Sequence, residues 1–524
     1  MIKSSHVDIF AKDRLPPRET WPEFIFDEYV PPYPDYINAA EELLGGDKQN
    51  NPAILMGDIT WTYADLNRKS DQVAQVLIND YELVPGNRVL LRGNNTPMLA
   101  ALWYGVLKAG CIVITTMTML RQKELDGIVV IGKPDMIIIE NDLPIDLLKS
   151  AEGSAQNVVG YREFVVKMKL KTGSFDAIKT ASDDVALLAF TSGTTGVPKA
   201  CVHFHRDILA MADSFAKYTL KPEASDVFCG SPPLAFTFGL GGLLVFPARF
   251  GASVVYFQGG GPDVLLNTIE NYGVTTLFTA PTAYKVLAGL VEGRNISSLK
   301  TCVSAGENLP LSISDLFYEK TGVRLIDGIG ATEMIHVFIS ASGEEIRPGS
   351  TGKVVPGYRA EVMSDDNKPV SDGEPGRLAI KGPTGCRYLN GDRQKEYVVD
   401  GWNITGDIFR RDEDGYFWFI ARGDDIIVSS GYNIAAPEVE QAVMAHDAVK
   451  ECAVIGVADP DRGMIVKAVI VLKDGSIASD VLKGEIQNFV KSTVAPYKYP
   501  RVIEFVDSLP KSATGKLLRK ALKN

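Results

Sequence analysis

With 524 residues the chain is longer than one hydrophobic core can usefully grow, so two or more domains are expected. Hydrophobic residues at 45% beside 23% charged residues exclude a disordered chain, and no apolar run reaches the length of a membrane span or a signal-peptide core. A net charge of -11 excludes a nucleic-acid binder with a basic face, so any anionic ligand must find local cations.

Six cysteines, at positions 111, 201, 229, 302, 386 and 452, are scattered without a C-x-x-C pair. That spacing predicts reduced, buried thiols and a cytoplasmic protein rather than a disulfide framework or a zinc site. His203 and His205 have no third ligand near them in sequence and are expected to pack beside the glycine-rich loop at 191–199 and not to bind a metal.

Residues 1–36 are rich in proline and aromatics, which predicts an extended segment laid over a domain surface and anchored by Trp21, Phe24 and Phe26. Residues 60–77 read as a strand end and an amphipathic helix with Asp65 near its start. A strand at 89–92, a helix at 97–109 and a strand at 110–116 continue a βαβ alternation, which predicts an α/β fold with a parallel or mixed sheet.

Residues 185–190 (VALLAF) read as a buried strand, 191–199 as TSGTTGVPK, and 206–218 as a helix. Gly193 and Gly196 allow close backbone approach to a polyphosphate, Thr191, Ser192, Thr194 and Thr195 supply hydroxyls, and Lys199 supplies a point charge. A strand, a glycine-rich turn and a helix are a setting for phosphate. Only two residues separate Gly196 from Lys199, so this is not a Walker loop.

Strands are expected at 252–257 and 275–279, then a strand at 301–304, a helix at 311–320 and a strand at 323–326. The loops Ala305-Gly306-Glu307 and DGIGATEM at 327–334 then lie at strand carboxyl ends and face one cleft. From 349 onward the pattern turns to short β segments, with a tight DEDG turn at 412–415. We place the domain junction at Asp424-Asp425, giving a large domain over 1–423 and a small αβ domain over 424–524.

TSGTTGVPK, GATE at 330–333, TGD at 405–407, ARGDD at 421–425 and PKSATGK at 510–516 stand in the order found in adenylate-forming acyl-CoA ligases, and the chain resembles that superfamily along nearly its whole length. The resemblance implies a mixed α/β large N-terminal domain with a β-barrel-like part, and a small mobile α+β C-terminal domain. It implies a soluble enzyme acting on a carboxylic acid, ATP and coenzyme A with Mg²⁺, in two steps through an acyl-AMP, and it allows a homodimer. It gives Glu333 a metal-linked role, Thr332 a phosphate contact, Asp407 the ribose hydroxyls, Arg422 the sugar or phosphate, and Phe419 a packing role on the nucleotide. Lys516 becomes the cation that joins carboxylate to α-phosphate, Asp424 the hinge, and Gly431 with Tyr432 the loop offered to CoA.

Where the family commonly stacks an aromatic on adenine this chain has Ile329, which keeps apolar contact without stacking and leaves Asp327, beside Gly328, as a partner for the adenine amino group. The acid pocket is expected around Phe236, Thr237, Phe238 and Gly239, with Gly330, Ala331 and His336. Two rings and several glycines suit a flat aryl slot, although the same phenylalanines could pack the core. DGIGATEMIH, FTFGLG and LPPRETWPEF are similar to benzoate-CoA and 2-aminobenzoate-CoA ligases, with Thr237 or His336 facing an ortho-amino group. Alternatives are a medium-chain fatty acyl-CoA synthetase and a free-standing aryl-acid adenylation enzyme loading a carrier protein. An amino-acid-activating enzyme would carry an aspartate where Thr237 stands. Nothing in the chain supports luciferase-like oxygen chemistry, and Lys516 with Glu333 argues against a non-catalytic regulator.

Overall fold

The computed structural model describes residues 2–120, 122–143, 157–192, 198–391, 393–429, 432–459, 463–494, 498–511 and 517–522. It divides into two compact units, one of residues 1–360 with 379–404, the other of residues 361–378 with 405–524.

Two sheets organise the first unit. In the six-stranded sheet the order is Asn157–Gly160, Met136–Ile139, Arg88–Arg92, Ile112–Thr116, Val185–Ser192 and Pro198–Phe204. Its pairs are parallel until the last, which is an antiparallel hairpin. The nine-stranded sheet runs Lys353–Val354, Val337–Ser340, Leu325–Gly330, Thr301–Ala305, Thr276–Thr279, Val227–Gly230, Ser253–Val255, Pro52–Met56 and Ile59–Thr62. Its centre is parallel and its edges are antiparallel, as expected where helical crossovers cover both faces.

Local signals explain the helices. Tyr63–Asn79 starts on a capping box: the Asp65 amide donates to the Thr62 hydroxyl, and the Thr62 amide donates to the Asp65 carboxylate, both at 3.2 Å. Pro97–Lys108 begins with a Thr96 cap and proline at its first turn, and every residue but Met98 is buried. The helix expected at 206–218 is an α-helix over His205–Met211 that widens into a π-helix over Ala212–Leu220. Near the N-terminus Trp21 packs on Phe204 at 5.8 Å, and the Arg206 guanidinium lies over Phe24 and Phe26, each at 5.6 Å, so the aromatic anchors hold as expected.

The second unit holds the hairpin arm through Arg411 and Phe417–Arg422, closed by the DEDG turn with Gly415 at φ 81°. It also holds a five-stranded sheet ordered Tyr432–Ala435, Ile426–Ser429, Gly463–Leu472 and Val449–Asp459, with Val502–Phe505 beside Gly463–Leu472. Helices Ala436–Met444 and Asp480–Thr493 contribute Val439, Val443, Ile486 and Val490 to its core. All six cysteines are free and buried.

Candidate active site

The phosphate-loop motif joins strand Val185–Ser192 to strand Pro198–Phe204, and Thr191 sits opposite Lys199 in the antiparallel register. A strand that was not expected, Pro198–Phe204, therefore stands between the turn and the helix, which begins at His205, one residue from its expected start. Its cause is readable afterwards: ACVHF is a short run buried without a break, with Val202 and Phe204 suited to a strand, and it fills the edge of the sheet beside Val185–Ser192. Gly193, Thr194, Thr195, Gly196, Gly431 and Lys516 lie outside the described residues.

The nine-stranded sheet brings the next two motifs side by side. Ser304 pairs with Asp327 and Ala305 with Gly328, so the loop of Ala305, Gly306 and Glu307 emerges beside the strand that carries Ile329 and Gly330. Gly306 has φ 89° and is exposed. Gly330 pairs with Val337, which makes residues 331–336 the tip of a hairpin. Within it Thr332–Met334 is a 3₁₀ turn and Ile335 has φ 65°, a strained position for a β-branched residue.

Three consecutive residues of that tip are gripped from outside it. His203 Nε2 donates to the Thr332 carbonyl at 2.8 Å, since a carbonyl can only accept. Tyr388 donates its hydroxyl to Glu333 Oε1 at 2.6 Å, and the Thr384 hydroxyl donates to the Met334 carbonyl at 2.8 Å. Behind His203 sits Asp207 at 3.8 Å, ion-paired with Arg387, and all three side chains are fully buried. Burial alone would raise the Asp207 carboxyl, but the Arg387 guanidinium and His203 hold it below the ordinary carboxylate range. Tyr388, Thr384, Arg387, His203 and Asp207 did not stand out as site residues in the sequence. A weak signal was available, since GPTGCRYLNG carries a charge and a phenol in a stretch that otherwise reads as buried strand.

Phe236, Thr237 and Phe238 are half-buried around the start of helix Thr237–Leu240. Phe238 lies 5.3 Å from Phe278 and 5.9 Å from His336, while Phe246 meets His336 edge-on at 4.6 Å. Enclosure pushes the His336 imidazole down to about 3, so the ring is neutral at physiological pH. Gly239, Gly241 and Gly242 do not open a slot. A side chain at Gly239 would strike the Pro233 carbonyl, at Gly241 the His336 ring, and at Gly242 the Phe278 ring at 2.5 Å. Gly241 and Gly242 let the helix backbone press against rings, and Gly239 lets it press against the Pro233 backbone. Gly330 and Ala331 flank the gripped tip, with Gly330 exposed and Ala331 half-buried.

Burial pushes the Asp327 carboxyl up to about 8, so it is largely protonated at neutral pH. With Ser314, Leu325 and Thr351 it lines a cavity of about 20 Å³, room for one water. In the second unit Asp407 sits opposite Arg422 in the hairpin register, and their side chains form an ion pair at 2.8 Å with Phe419 on the same strand as Arg422. Asp425, next to Asp424, is ion-paired with Arg519 at 3.2 Å, and Arg519 also holds Glu440 at 2.6 Å. Among the described residues no cluster of three or more His, Cys, Asp or Glu could hold a metal by itself. Glu333 keeps its second carboxylate oxygen outside the Tyr388 hydrogen bond, which fits a divalent ion that arrives on phosphate oxygens and needs one protein carboxylate.

Among the described residues no helix is long and apolar enough to cross a membrane. The AMP-binding enzyme family matches residues 45–388, and the AMP-binding enzyme C-terminal domain matches residues 438–516. The chain is 31% identical over 509 residues to a benzoate–CoA ligase of Thauera aromatica, covering 94% of this chain and 96% of that protein. It is 32% identical over 525 residues to a mitochondrial acyl-coenzyme A synthetase of Rattus norvegicus, covering 94% and 90%. A crystal structure of an anthranilate CoA ligase in complex with anthranoyl-AMP superposes with a TM-score of 0.87 at 33% identity, covering 94% of this chain and 97% of that one. With the ordered motifs, the two-unit architecture and the gripped glutamate turn, these matches show that the chain belongs to the AMP-binding, adenylate-forming enzyme family, as an AMP-forming acyl-CoA ligase.

Proposed function

We propose that the chain joins an aromatic carboxylic acid, of the benzoate or 2-aminobenzoate type, to coenzyme A at the expense of ATP. The observation that carries this reading is the cluster in which Phe238 and Phe246 each contact both Phe278 and neutral His336, with ring centroids 4.6–6.2 Å apart, behind the glutamate turn. Such a wall favours a flat ring over a charged or strongly polar acid. In the first step the acid's carboxylate oxygen attacks the α-phosphorus of ATP and pyrophosphate leaves. In the second the CoA thiol attacks the acyl carbonyl, and AMP leaves as the carbon–sulfur bond forms.

The residues divide this work by charge. Lys199 and the hydroxyl loop hold the departing phosphates, and Thr332 with Glu333 would hold Mg²⁺ and its phosphate. When bound, Mg²⁺ neutralises charge that builds up on the leaving group. Asp407 accepts from the ribose hydroxyls, and Arg422, already oriented by its ion pair with Asp407, donates beside them. Ala305, Gly306, Glu307, Gly328 and Ile329 form the adenine side. We assign Lys516 to the gap between carboxylate and α-phosphate, where a cation offsets the repulsion of two anions. Lys516→Ala then abolishes acid-dependent pyrophosphate exchange and spares thioester formation from supplied acyl-AMP; equal loss of both half-reactions would refute the role.

Residues 424–524 act as the mobile domain, turning about Asp424 so that Gly431 and Tyr432 replace Lys516 for the CoA step. Buried, unpaired cysteines fit a cytoplasmic enzyme. A medium-chain acyl specificity is the second reading, favoured by the 32% identity to an acyl-coenzyme A synthetase. AMP release measured with benzoate, 2-aminobenzoate, hexanoate and acetate, each with ATP and CoA, separates the two: a preference for the aliphatic acids would overturn the aromatic assignment.

A further inference from the structure

Glu333 and Lys199 belong to different sheets, yet one side chain touches both. Tyr388 donates to Glu333 Oε1 at 2.6 Å, and its ring lies under the Lys199 ammonium at 5.5 Å. The backbone of Tyr388 is itself tied to the phosphate-loop hairpin. Val202 donates to the Arg387 carbonyl at 2.8 Å, Leu389 donates to the Ala200 carbonyl at 2.9 Å, and Cys201 bridges Tyr388 between them. Residues 387–389 thus form an extra strand on the hairpin edge. From it Tyr388 reaches the acidic turn directly, while Arg387 reaches it through the buried Asp207 and His203 to the Thr332 carbonyl.

We propose that Tyr388 is the positioning residue that sets the Glu333 carboxylate against the phosphate loop, with the buried Arg387–Asp207–His203 chain clamping the backbone of the same turn. The physical need is visible in the turn itself. Ile335, at φ 65°, would relax if the carbonyls of Thr332 and Met334 were released, and relaxation would swing Glu333 away from Lys199. A hydroxyl donor on one carboxylate oxygen leaves the other oriented toward a cation, the usual service of a group behind a metal-binding carboxylate. A tyrosine that merely filled the core would pack without bearing on metal-dependent binding.

This inference rests on reading Glu333 as the metal-side carboxylate, and its test uses binding instead of turnover. Calorimetric titration of the full chain with Mg·ATP, and with ATP in the presence of a chelator, is run on the wild type, Tyr388→Phe, His203→Gln and Glu333→Gln. Tyr388→Phe should weaken Mg·ATP by about 10- to 100-fold and leave metal-free ATP unchanged. In the Glu333→Gln background the same substitution should add nothing, because it acts through that carboxylate. His203→Gln, which works on the backbone, should repeat the metal-selective loss and serves as the readout if Tyr388→Phe does not fold. Equal loss with and without metal, no loss, or additivity with Glu333→Gln would overturn the proposal. Unchanged Mg·ATP binding in Glu333→Gln would remove its premise and overturn it too. An aliphatic preference in the acid panel would leave it standing.

Discussion

Removing the charge of Arg387 should be among the most destabilising single changes in the larger unit. Its guanidinium is fully buried, ion-paired with a fully buried Asp207, and stacked 3.9 Å over the Phe204 ring. Arg387→Met keeps much of the aliphatic stem against Phe204 but leaves the Asp207 carboxylate with only His203, the Phe204 amide at 3.0 Å and the more distant Arg206. Breaking a buried pair from one side costs about 3–5 kcal/mol, because the surviving charge has lost its compensation. Replacing both partners, Arg387→Met with Asp207→Leu, removes that uncompensated charge, so the double variant should recover much of the loss.

Urea unfolding at matched slopes measures this, with the midpoint shift converted to free energy. The pH dependence gives a second check. Asp207 has a depressed folded pKa, so its contribution is present above the ordinary aspartate range and is lost as pH falls through the folded value. Arg387→Met should flatten that acid limb. A cost below about 1 kcal/mol for Arg387→Met, or a double variant as unstable as the sum of the singles, would refute the reasoning.

Other expectations follow from single contacts. Thr62→Ala removes the capping-box hydroxyl and should cost about 1 kcal/mol in thermal unfolding without altering ATP affinity. Gly242→Ala places a methyl group 2.5 Å from the Phe278 ring, and overpacking of about 1–3 kcal/mol, with weaker binding of the acid and unchanged binding of ATP, is the outcome to seek by calorimetry. Asp327, with its carboxyl pushed up to about 8, holds its proton in the folded state where the unfolded chain has released it. Stability should therefore fall as pH rises from the ordinary aspartate range toward 8, and Asp327→Asn should flatten that slope in melts taken across the window.

Much of this molecule was legible in its residues taken locally. Asp65 marked one helix start, apolar periodicity gave another helix from Pro97, and the apolar runs at 301–304 and 323–326 gave parallel neighbours whose following loops had to share a cleft. These signals survive because capping, turn chemistry and hydrophobic periodicity act within a few residues. The second strand of the hairpin after TSGTTGVPK was missed because a short apolar run such as ACV does not tell strand from loop or helix by itself; only the vacant edge beside Val185–Ser192 decides it. The glycines of FTFGLGG show the same limit, since the sequence marks where a side chain is missing but not which ring takes its place.

The support of the candidate site belongs entirely to the tertiary structure. Tyr388 and Glu333 lie 55 positions apart, His203 and Thr332 lie 129 apart, and Arg387 and Asp207 lie 180 apart. Sequence by itself determined which chemical groups exist and which local turns present them: a hydroxyl-rich loop at 191–199, a glutamate in the GATE turn, a tight DEDG turn between Asp407 and Arg422. Only the packing of two sheets decided that a phenol would stand between Lys199 and Glu333, because a hydrogen bond across such separations forms only when the whole core has ordered the groups that make it.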